Sequence, residues 1–143
     1  MKLLFYPDPE EYSQNISLEK PVGAVRKEII KLVPKHKDLY LLVKDYLNKL
    51  VGITDLSLEY QREILFDLGC GLHEMRIPKI RRGGVFRIYF CYAVSNLGVL
   101  ILLDAELKHD TKPKKTSSAR DKLEDYKKWI GKGGQNEQLK RFL

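Results

Sequence analysis

Leu72-His73-Glu74-Met75-Arg76-Ile77 and Val85-Phe86-Arg87-Ile88-Tyr89-Phe90-Cys91-Tyr92 are the two stretches of sequence that decide the fold. In both of them apolar and polar side chains alternate with a period of two. This alternation is typical of β-strands that have two different faces. The two stretches therefore predict consecutive strands, joined by the loop of residues 78–84.

The alternation assigns the side chains of these strands to two faces. One face receives the apolar side chains Met75, Ile77, Phe86, Ile88 and Phe90. The opposite face receives Glu74, Arg76, Arg87 and Tyr89. This second face is the candidate working surface.

A third strand follows directly. Residues 99–103 are continuously apolar, as expected of a central strand that is covered on both sides. The segment Ser95-Asn96-Leu97-Gly98 offers a tight turn into it. The three strands together predict an antiparallel meander.

The first half of the chain is predicted to be mainly helical. Residues 3–6 indicate a short first strand, and residues 7–17 are rich in turn formers and indicate a loop. Apolar residues then recur at helical spacing from Val22 to Val33 and from Leu39 to Leu50, with Pro34 between them. These two segments predict a helical hairpin. One or two further helical turns are expected within residues 58–68, ending at Gly69 and Gly71.

The chain is predicted to end with one more helix. After a polar stretch, Ser118 and Asp121 suggest a capping box for a helix that carries Ala119, Leu123, Tyr126 and Ile130 and ends at Gly131. Residues 133–143 read as a loosely held tail. The fold class is therefore α+β, a single domain over residues 1–143: an N-terminal strand and helical hairpin packed on an antiparallel meander, with a C-terminal helix.

Charge is distributed unevenly along the 143 residues, whose net charge is +7. Residues 1–70 contain ten Lys and Arg against eleven Asp and Glu, while residues 71–143 contain sixteen against eight. The whole excess therefore belongs to the half that carries the meander. This asymmetry favours a domain with one face that meets nucleic acid.

Other function classes receive no support from the sequence. No hydrophobic run approaches the roughly 20 residues of a membrane span, so we expect a cytoplasmic protein. Two cysteines, Cys70 and Cys91, fit a reduced compartment. The three histidines are scattered, so neither a metal site nor another cofactor is expected.

Several short motifs, taken in order, resemble those of the RelE/HigB toxins of bacterial type II toxin-antitoxin modules, within the RelE/ParE superfamily. They are Leu72-x-Glu74-Met75-Arg76, Phe86-Arg87-Ile88-x-Phe90, the apolar strand 99–103, and Lys108 followed by a basic stretch with Pro113. The resemblance covers roughly residues 22–127. It implies a RelE-like fold and a ribosome-dependent, metal-independent endoribonuclease that cuts messenger RNA, inhibits translation and is held inactive by a cognate antitoxin.

The chain departs from this family at two places. Family members of this type often have two lysines after the apolar strand, whereas this chain has Lys108-His109, and its loop 78–84 is unusually rich in arginine. The identity of the general acid and base therefore stays open. So do a ParE-like poison of DNA gyrase, a non-catalytic module that binds RNA or the ribosome, and a decayed toxin.

Metal-free RNA cleavage supplies roles for the basic residues of the strands. Arg76 and Arg87 would hold the non-bridging oxygens of the scissile phosphate, and Lys108 and His109 would complete the catalytic group. His109 is the proton-transfer candidate because its unperturbed pKa lies near neutrality. The alternatives are that the arginines pair with Glu74, Asp104 or Glu106 and that His109 is an exposed loop residue; Tyr89 and Tyr126 are weaker rivals for proton transfer.

A second group of residues is predicted to bind the RNA chain rather than to cleave it. It comprises Lys79, Arg81 and Arg82 of the first loop, Tyr89 as a surface for a base, and Lys112, Lys114 and Lys115 of the second basic stretch. Two basic loops beside one sheet face would form a groove for a phosphate backbone. The alternatives are ordinary solvated turns for both loops and half-buried packing for Tyr89.

Overall fold

A computed structural model describes residues 1–7, 10–12, 23–94, 96–108 and 115–131 of the protein. The strands of this part are β1 (Lys2–Phe5), β2 (Glu10–Glu11), β3 (Leu65–Gly69), β4 (Leu72–Ile77), β5 (Val85–Ala93) and β6 (Asn96–Lys108). The helices are α1 (Ala24–Ile30), α2 (Lys37–Val51), α3 (Ser57–Gln61) and α4 (Thr116–Gly131). The α+β class and the order of elements from strand to helical hairpin, meander and final helix are as predicted.

The strands form one six-stranded mixed sheet in the order β2-β1-β6-β5-β4-β3. The predicted meander is confirmed, since β4 pairs antiparallel with β5 and β5 with β6. β3 extends it by a further antiparallel strand. β1 lies parallel to β6 and extends the sheet beyond the meander.

The first face of the sheet packs against α1 and α2 and forms the larger core. Its strand residues include Met75, Ile77, Phe86, Ile88, Phe90, Leu100 and Leu102, and the helices contribute Val25, Ile29, Leu39, Val43, Leu47 and Leu50. The side chains assigned to this face from the alternation are all buried there. Burial of this apolar area is the main force that holds the helices on the sheet.

The second face is covered over part of its area by α4. A smaller apolar cluster lies there, made of Leu4, Leu72, Cys91, Val99, Ile101 and Leu103 of the sheet with Ala119, Leu123 and Tyr126 of the helix. Towards the other end of the same face the side chains become charged, and these form the candidate site. The helix predicted over this region is confirmed, with its end at Gly131.

A β-bulge in β6 decides which side chains reach the second face. Tyr89 is paired with Asp104 and Phe90 with Leu102, so Leu103 has no counterpart on β5. Before the bulge, Leu100 and Leu102 face the first core; after it, Ala105 does. The extra residue therefore turns Asp104 and Glu106 towards the second face.

Two predicted local structures are wrong in part. The helical turn expected within residues 58–68 is present as α3, but it ends at Gln61 and not at Gly69 or Gly71, and Leu65–Gly69 form β3. Gly69, Cys70 and Gly71 all have positive φ, at 87°, 55° and 86°, which makes the tight turn from β3 into β4 rather than a helix end. Similarly, residues 10–11 of the expected N-terminal loop pair with β1 as a short strand.

The capping box predicted at Ser118 and Asp121 is also wrong. α4 already begins at Thr116, and the Ser118 hydroxyl donates to Asp104 Oδ2 at 2.7 Å. Asp104 is buried and also accepts from Lys122 Nζ at 2.7 Å. The serine thus ties the helix to the sheet, which a reading of local sequence cannot detect.

Some predictions fall on residues outside the described ranges: Val22 at the start of the first helix, Ser95 in the hairpin turn, and the tail of residues 133–143. Within the described ranges no helix combines the length and apolar character needed to cross a membrane.

Candidate functional site

The charged end of the second sheet face brings together residues from three neighbouring strands. Arg76 of β4 lies directly opposite Arg87 of β5, and Arg87 lies opposite Glu106 of β6. We call Arg76 and Arg87 the arginine pair. Two positive side chains at facing positions would repel each other, so the sheet needs a negative group between them.

Glu74 is that group. Its Oε1 accepts from Arg76 Nε at 2.6 Å and from Arg87 Nη1 at 2.9 Å. The Glu74 side chain is 2% exposed, against 11% for Arg87 and 32% for Arg76. One buried carboxylate therefore holds two guanidinium groups, and the three side chains together carry one net positive charge. The pairing with Glu74, weighed as an alternative for both arginines, is what the structure shows.

The arginine pair still presents donors beyond Glu74. Arg76 is the more accessible of the two and meets Glu74 through Nε. Arg87 Nε is buried and has no hydrogen-bond partner among the described residues. A buried donor without a partner is unfavourable, and an added acceptor at this position would relieve it.

Phe66 is a residue of this site that sequence reasoning missed. It lies on β3 opposite Glu74, and its ring centre is 3.8 Å from the guanidinium carbon of Arg76. Such a cation–π contact holds an arginine flat against the ring. The available signal was residues 64–68, a strand-like run followed by Gly69 and Gly71, which reads equally well as a strand and a turn before β4.

Tyr89 does not offer the surface for a base that was predicted from its place in the sequence. It is fully buried against α4, and its hydroxyl donates to Glu106 Oε2 at 3.0 Å. Burial and the neighbouring Glu106 carboxylate raise the pKa of Tyr89 above its ordinary value. The packing alternative is the correct one, because α4 covers the ring.

Glu106 joins the site to the start of α4. Besides Tyr89 it accepts from the backbone N–H of Lys115 at 2.7 Å, and the Lys115 carbonyl accepts from Ala119 N in the first turn of the helix. A carboxylate at this position accepts from a backbone amide that has no partner within the helix, and its negative charge interacts favourably with the positive end of the helix dipole. The position of α4 is thus linked to the charged face.

The predicted proton-transfer corner is described only in part. Lys108 is the last residue of β6, lies opposite Val85, and is buried. His109 lies outside the described residues, as do Lys112 and Lys114. The structure therefore places one residue of this corner at the end of the strand that also carries Glu106.

Some of the predicted RNA-binding residues are held by ion pairs within the protein, whereas others are accessible to solvent. Arg81 donates through Nη2 to both Asp38 oxygens, at 3.1 and 3.0 Å, and so pins its loop to the start of α2. This contact holds the pKa of the Asp38 carboxyl below its usual value. Arg82 is exposed, and Lys79 is half-exposed with a 3.4 Å contact to Glu63.

Lys115 is less available than predicted. Its Nζ donates to Glu28 Oε1 at 2.9 Å and lies 4.0 Å from Asp104 Oδ1. Burial alone would raise the pKa of Glu28, but the hydrogen bonds from Lys115 and Lys31 outweigh it and lower that pKa. Lys115 therefore connects α1 to the sheet, and the accessible basic groups of the described loop are Lys79 and Arg82.

A separate polar cluster lies at the rim of the first face. The hydroxyl of Tyr60 is 2.9 Å from His73 Nδ1 and 2.8 Å from the Tyr92 hydroxyl. The His73 ring stacks on Phe90 at 5.4 Å. Burial lowers the pKa of His73, against a smaller opposing effect of Asp67. Because His73 packs here, it belongs to the core edge and not to the arginine site.

Comparisons with known proteins add no relative, since neither the protein-family models nor the curated proteins give a match. The case for a function therefore depends on the residues of the site itself.

Proposed function

We propose that the protein is a messenger RNA endoribonuclease of the RelE/HigB type, the toxin of a type II toxin-antitoxin module, acting on the ribosome and restrained by an antitoxin. The observation that carries this proposal is the arginine pair: two guanidinium groups on adjacent strands, fixed by one buried carboxylate and carrying net positive charge. Fixed positive donors suit the phosphate of a reacting RNA strand because they need little rearrangement during the reaction.

The proposed reaction is an internal transesterification of the RNA. The 2′-hydroxyl oxygen of the RNA attacks the adjacent phosphorus, the bond from phosphorus to the 5′-oxygen breaks, and a 2′,3′-cyclic phosphate and a 5′-hydroxyl result. One proton leaves the 2′-hydroxyl and one reaches the 5′-oxygen. Arg76 and Arg87 offset the charge that develops on the non-bridging oxygens, and Lys108 and His109 remain the candidates for the proton steps.

The order of elements supports the same proposal. A strand, a helical hairpin, an antiparallel meander and a final helix follow one another, as in the family that the sequence resembles. The accessible Lys79 and Arg82 lie in the loop that leads from β4 to β5. In this proposal they contact the RNA backbone and do not take part in cleavage.

A non-catalytic RNA-binding module is the second candidate, and one observation favours it. Both arginines are engaged by Glu74, and Arg87 is only 11% exposed. An anchored pair of this kind can hold a phosphate without taking part in its cleavage. The two candidates therefore differ in whether RNA is cut and not in where it binds.

Induction of the protein in bacteria, followed by mapping of messenger 5′ ends, separates the candidates. We expect growth arrest with cuts inside translated messages, reduced on the order of 100-fold in Arg76→Ala. Arg62→Ala is the matched control because Arg62 is an exposed arginine at the end of α3 and is not one of the charged residues of the second face. Arg76 is preferred to Arg87 because the more exposed residue is less critical to folding.

Three results would contradict the endoribonuclease. Arrest with DNA damage and intact messages would transfer the assignment to a gyrase poison. RNA binding without any cuts would favour the non-catalytic module. Cutting that is unchanged in Arg76→Ala would remove the arginine pair from the mechanism.

A further inference from the structure

We propose that Arg76 and Phe66 form a platform on which one unpaired nucleobase of a single-stranded RNA stacks. The inference rests on the proposed function for its ligand class, and it adds a base-binding subsite to the site for the phosphate. It arises from the structure because β3, which carries Phe66, was not expected from the sequence. We call these two residues the stacking platform.

The geometry of the platform is fixed from two sides. The Arg76 guanidinium lies over the Phe66 ring, with its carbon 3.8 Å from the ring centre. Glu74 accepts from Nε at 2.6 Å and so restrains rotation of the guanidinium. Arg76 keeps 32% of its side chain exposed, and the base would stack on the guanidinium from the side opposite the Phe66 ring.

A planar guanidinium held in this way matches the flat face of a nucleobase. Unpaired bases in RNA complexes stack on aromatic rings and on arginine planes, and the contact tolerates every base because each has a π-face. Since Tyr89 is buried, it cannot supply this contact. Arg76 is the planar group that the described part of the charged face leaves accessible.

Stacking does not compete with the phosphate role of Arg76. The face of the guanidinium would meet the base, while its edge, which bears Nη1 and Nη2, would meet phosphate oxygens. A base and its own phosphate lie close enough in one nucleotide to use both. The platform would thus orient the nucleotide next to the bond that is cut.

Fluorescence of 2-aminopurine tests the platform, because this base analogue is quenched when it stacks. The probe is a short single-stranded RNA with 2-aminopurine at successive positions and 2′-O-methyl groups throughout, so that no 2′-hydroxyl can attack. With the full-length protein we expect stacking-dependent quenching at one position. Arg76→Lys, which keeps the charge and removes the plane, should lose this quenching and bind about tenfold more weakly.

Substitutions of Phe66 and of an exposed arginine at the end of α3 provide the controls. Phe66→Tyr keeps a ring beneath the guanidinium and should retain quenching, whereas Phe66→Leu keeps an apolar side chain without a ring and should reduce it. Arg62→Lys, the same change at an exposed site, should match the wild-type protein. Circular dichroism of each variant establishes that the fold is retained.

The results separate this inference from the proposed function. Wild-type quenching that persists in Arg76→Lys would overturn the platform and leave an ordinary electrostatic contact, and so would the absence of RNA binding or of position-dependent quenching. Messages cut in cells without loss of quenching in Arg76→Lys would keep the endoribonuclease and reject the platform. Quenching as expected without cuts in cells would keep the platform and reject the endoribonuclease.

Discussion

The two faces of the sheet differ in how they use the same alternation of side chains. The first face is apolar from β1 to β3, and its polar groups, such as His73 and Tyr60, lie at the rim. The second face is apolar beneath α4 and charged beyond it, where Glu74 and the arginine pair lie. The first face therefore serves stability, whereas half of the second face holds charges that stability alone does not require.

The two faces therefore contribute differently to the free energy of unfolding. Apolar burial stabilises the fold at every position it covers. A buried ion pair contributes little net stability, because desolvation offsets the attraction, but breaking it is costly. Removing one partner of the charged cluster should therefore lower the free energy of unfolding strongly, although the intact cluster adds little to it. Sites that bind ligands or catalyse reactions often have this property.

The largest effect on stability is expected when phenylalanine is replaced by alanine on the first face, compared with the same change on the second. Phe86→Ala removes a fully buried ring from the first core and should lower the free energy of unfolding by about 4 kcal/mol. Phe66→Ala on the second face should lower it by about 1 kcal/mol, since that ring is partly exposed and mainly supports Arg76. Urea denaturation measures both, and equal losses would refute the contrast.

A smaller loss is expected from Glu74→Ala. It leaves Arg76 and Arg87 facing each other without their shared acceptor, so we expect about 3 kcal/mol of destabilisation in urea. Glu63→Ala is the control, because its ion pair with Lys79 is exposed and should be worth less than about 0.5 kcal/mol. A Glu74→Ala protein as stable as the control would mean that the arginine pair finds other acceptors.

The attachment of α4 to the second face should depend on Ser118 more weakly. Ser118→Ala removes one of the hydrogen bonds to Asp104, and Lys122 still neutralises that carboxylate, so the expected loss is about 1 kcal/mol. Ser117→Ala, one residue earlier and exposed, should cost nothing measurable. The difference between the two melting temperatures is the test, and a larger loss in Ser117→Ala would contradict the assigned contact.

The smallest effect is a pH dependence at the rim of the first face. Because burial lowers the pKa of His73 in the folded protein, the unfolded chain takes up the proton first on acidification. The contribution of the neutral His73 ring to the free energy of unfolding is fully present above a pH of about 6.5, and it falls as the pH is lowered towards the pKa of the folded protein. His73→Gln should reduce the slope of melting temperature against pH in this range, and an unchanged slope would exclude His73 as its source.

The alternation of side chains was sufficient to predict the faces of β4 and β5. Met75, Phe86 and Ile88 lie where a period of two places them, because slipping the register by one residue would move all of them out of the core. β3 was not predicted, since Gly69 and Gly71 are compatible with either a helix end or a tight turn. Only the pairing of β3 with β4 across this turn decides between them.

The site was predicted less completely than the fold. The sequence places Arg76, Arg87 and Glu74 on one face, but it does not show that a single carboxylate binds both arginines. Nor does it show that α4 covers Tyr89, because the approach of a helix depends on the whole second cluster. Residue types and faces are local properties, whereas burial and pairing arise from the assembled molecule.

The bulge at Leu103 changes which residues of β6 face α4. Odd-numbered residues face α4 as far as Leu103, and even-numbered residues do so from Asp104 onward. The position of the bulge, together with residue type, thus decides on which face of the sheet the charged side chains lie. If β6 kept Leu103 but alternated regularly through it without a bulge, Glu106 would point towards α1 and α2, and α4 would lose the acceptor at its first turn.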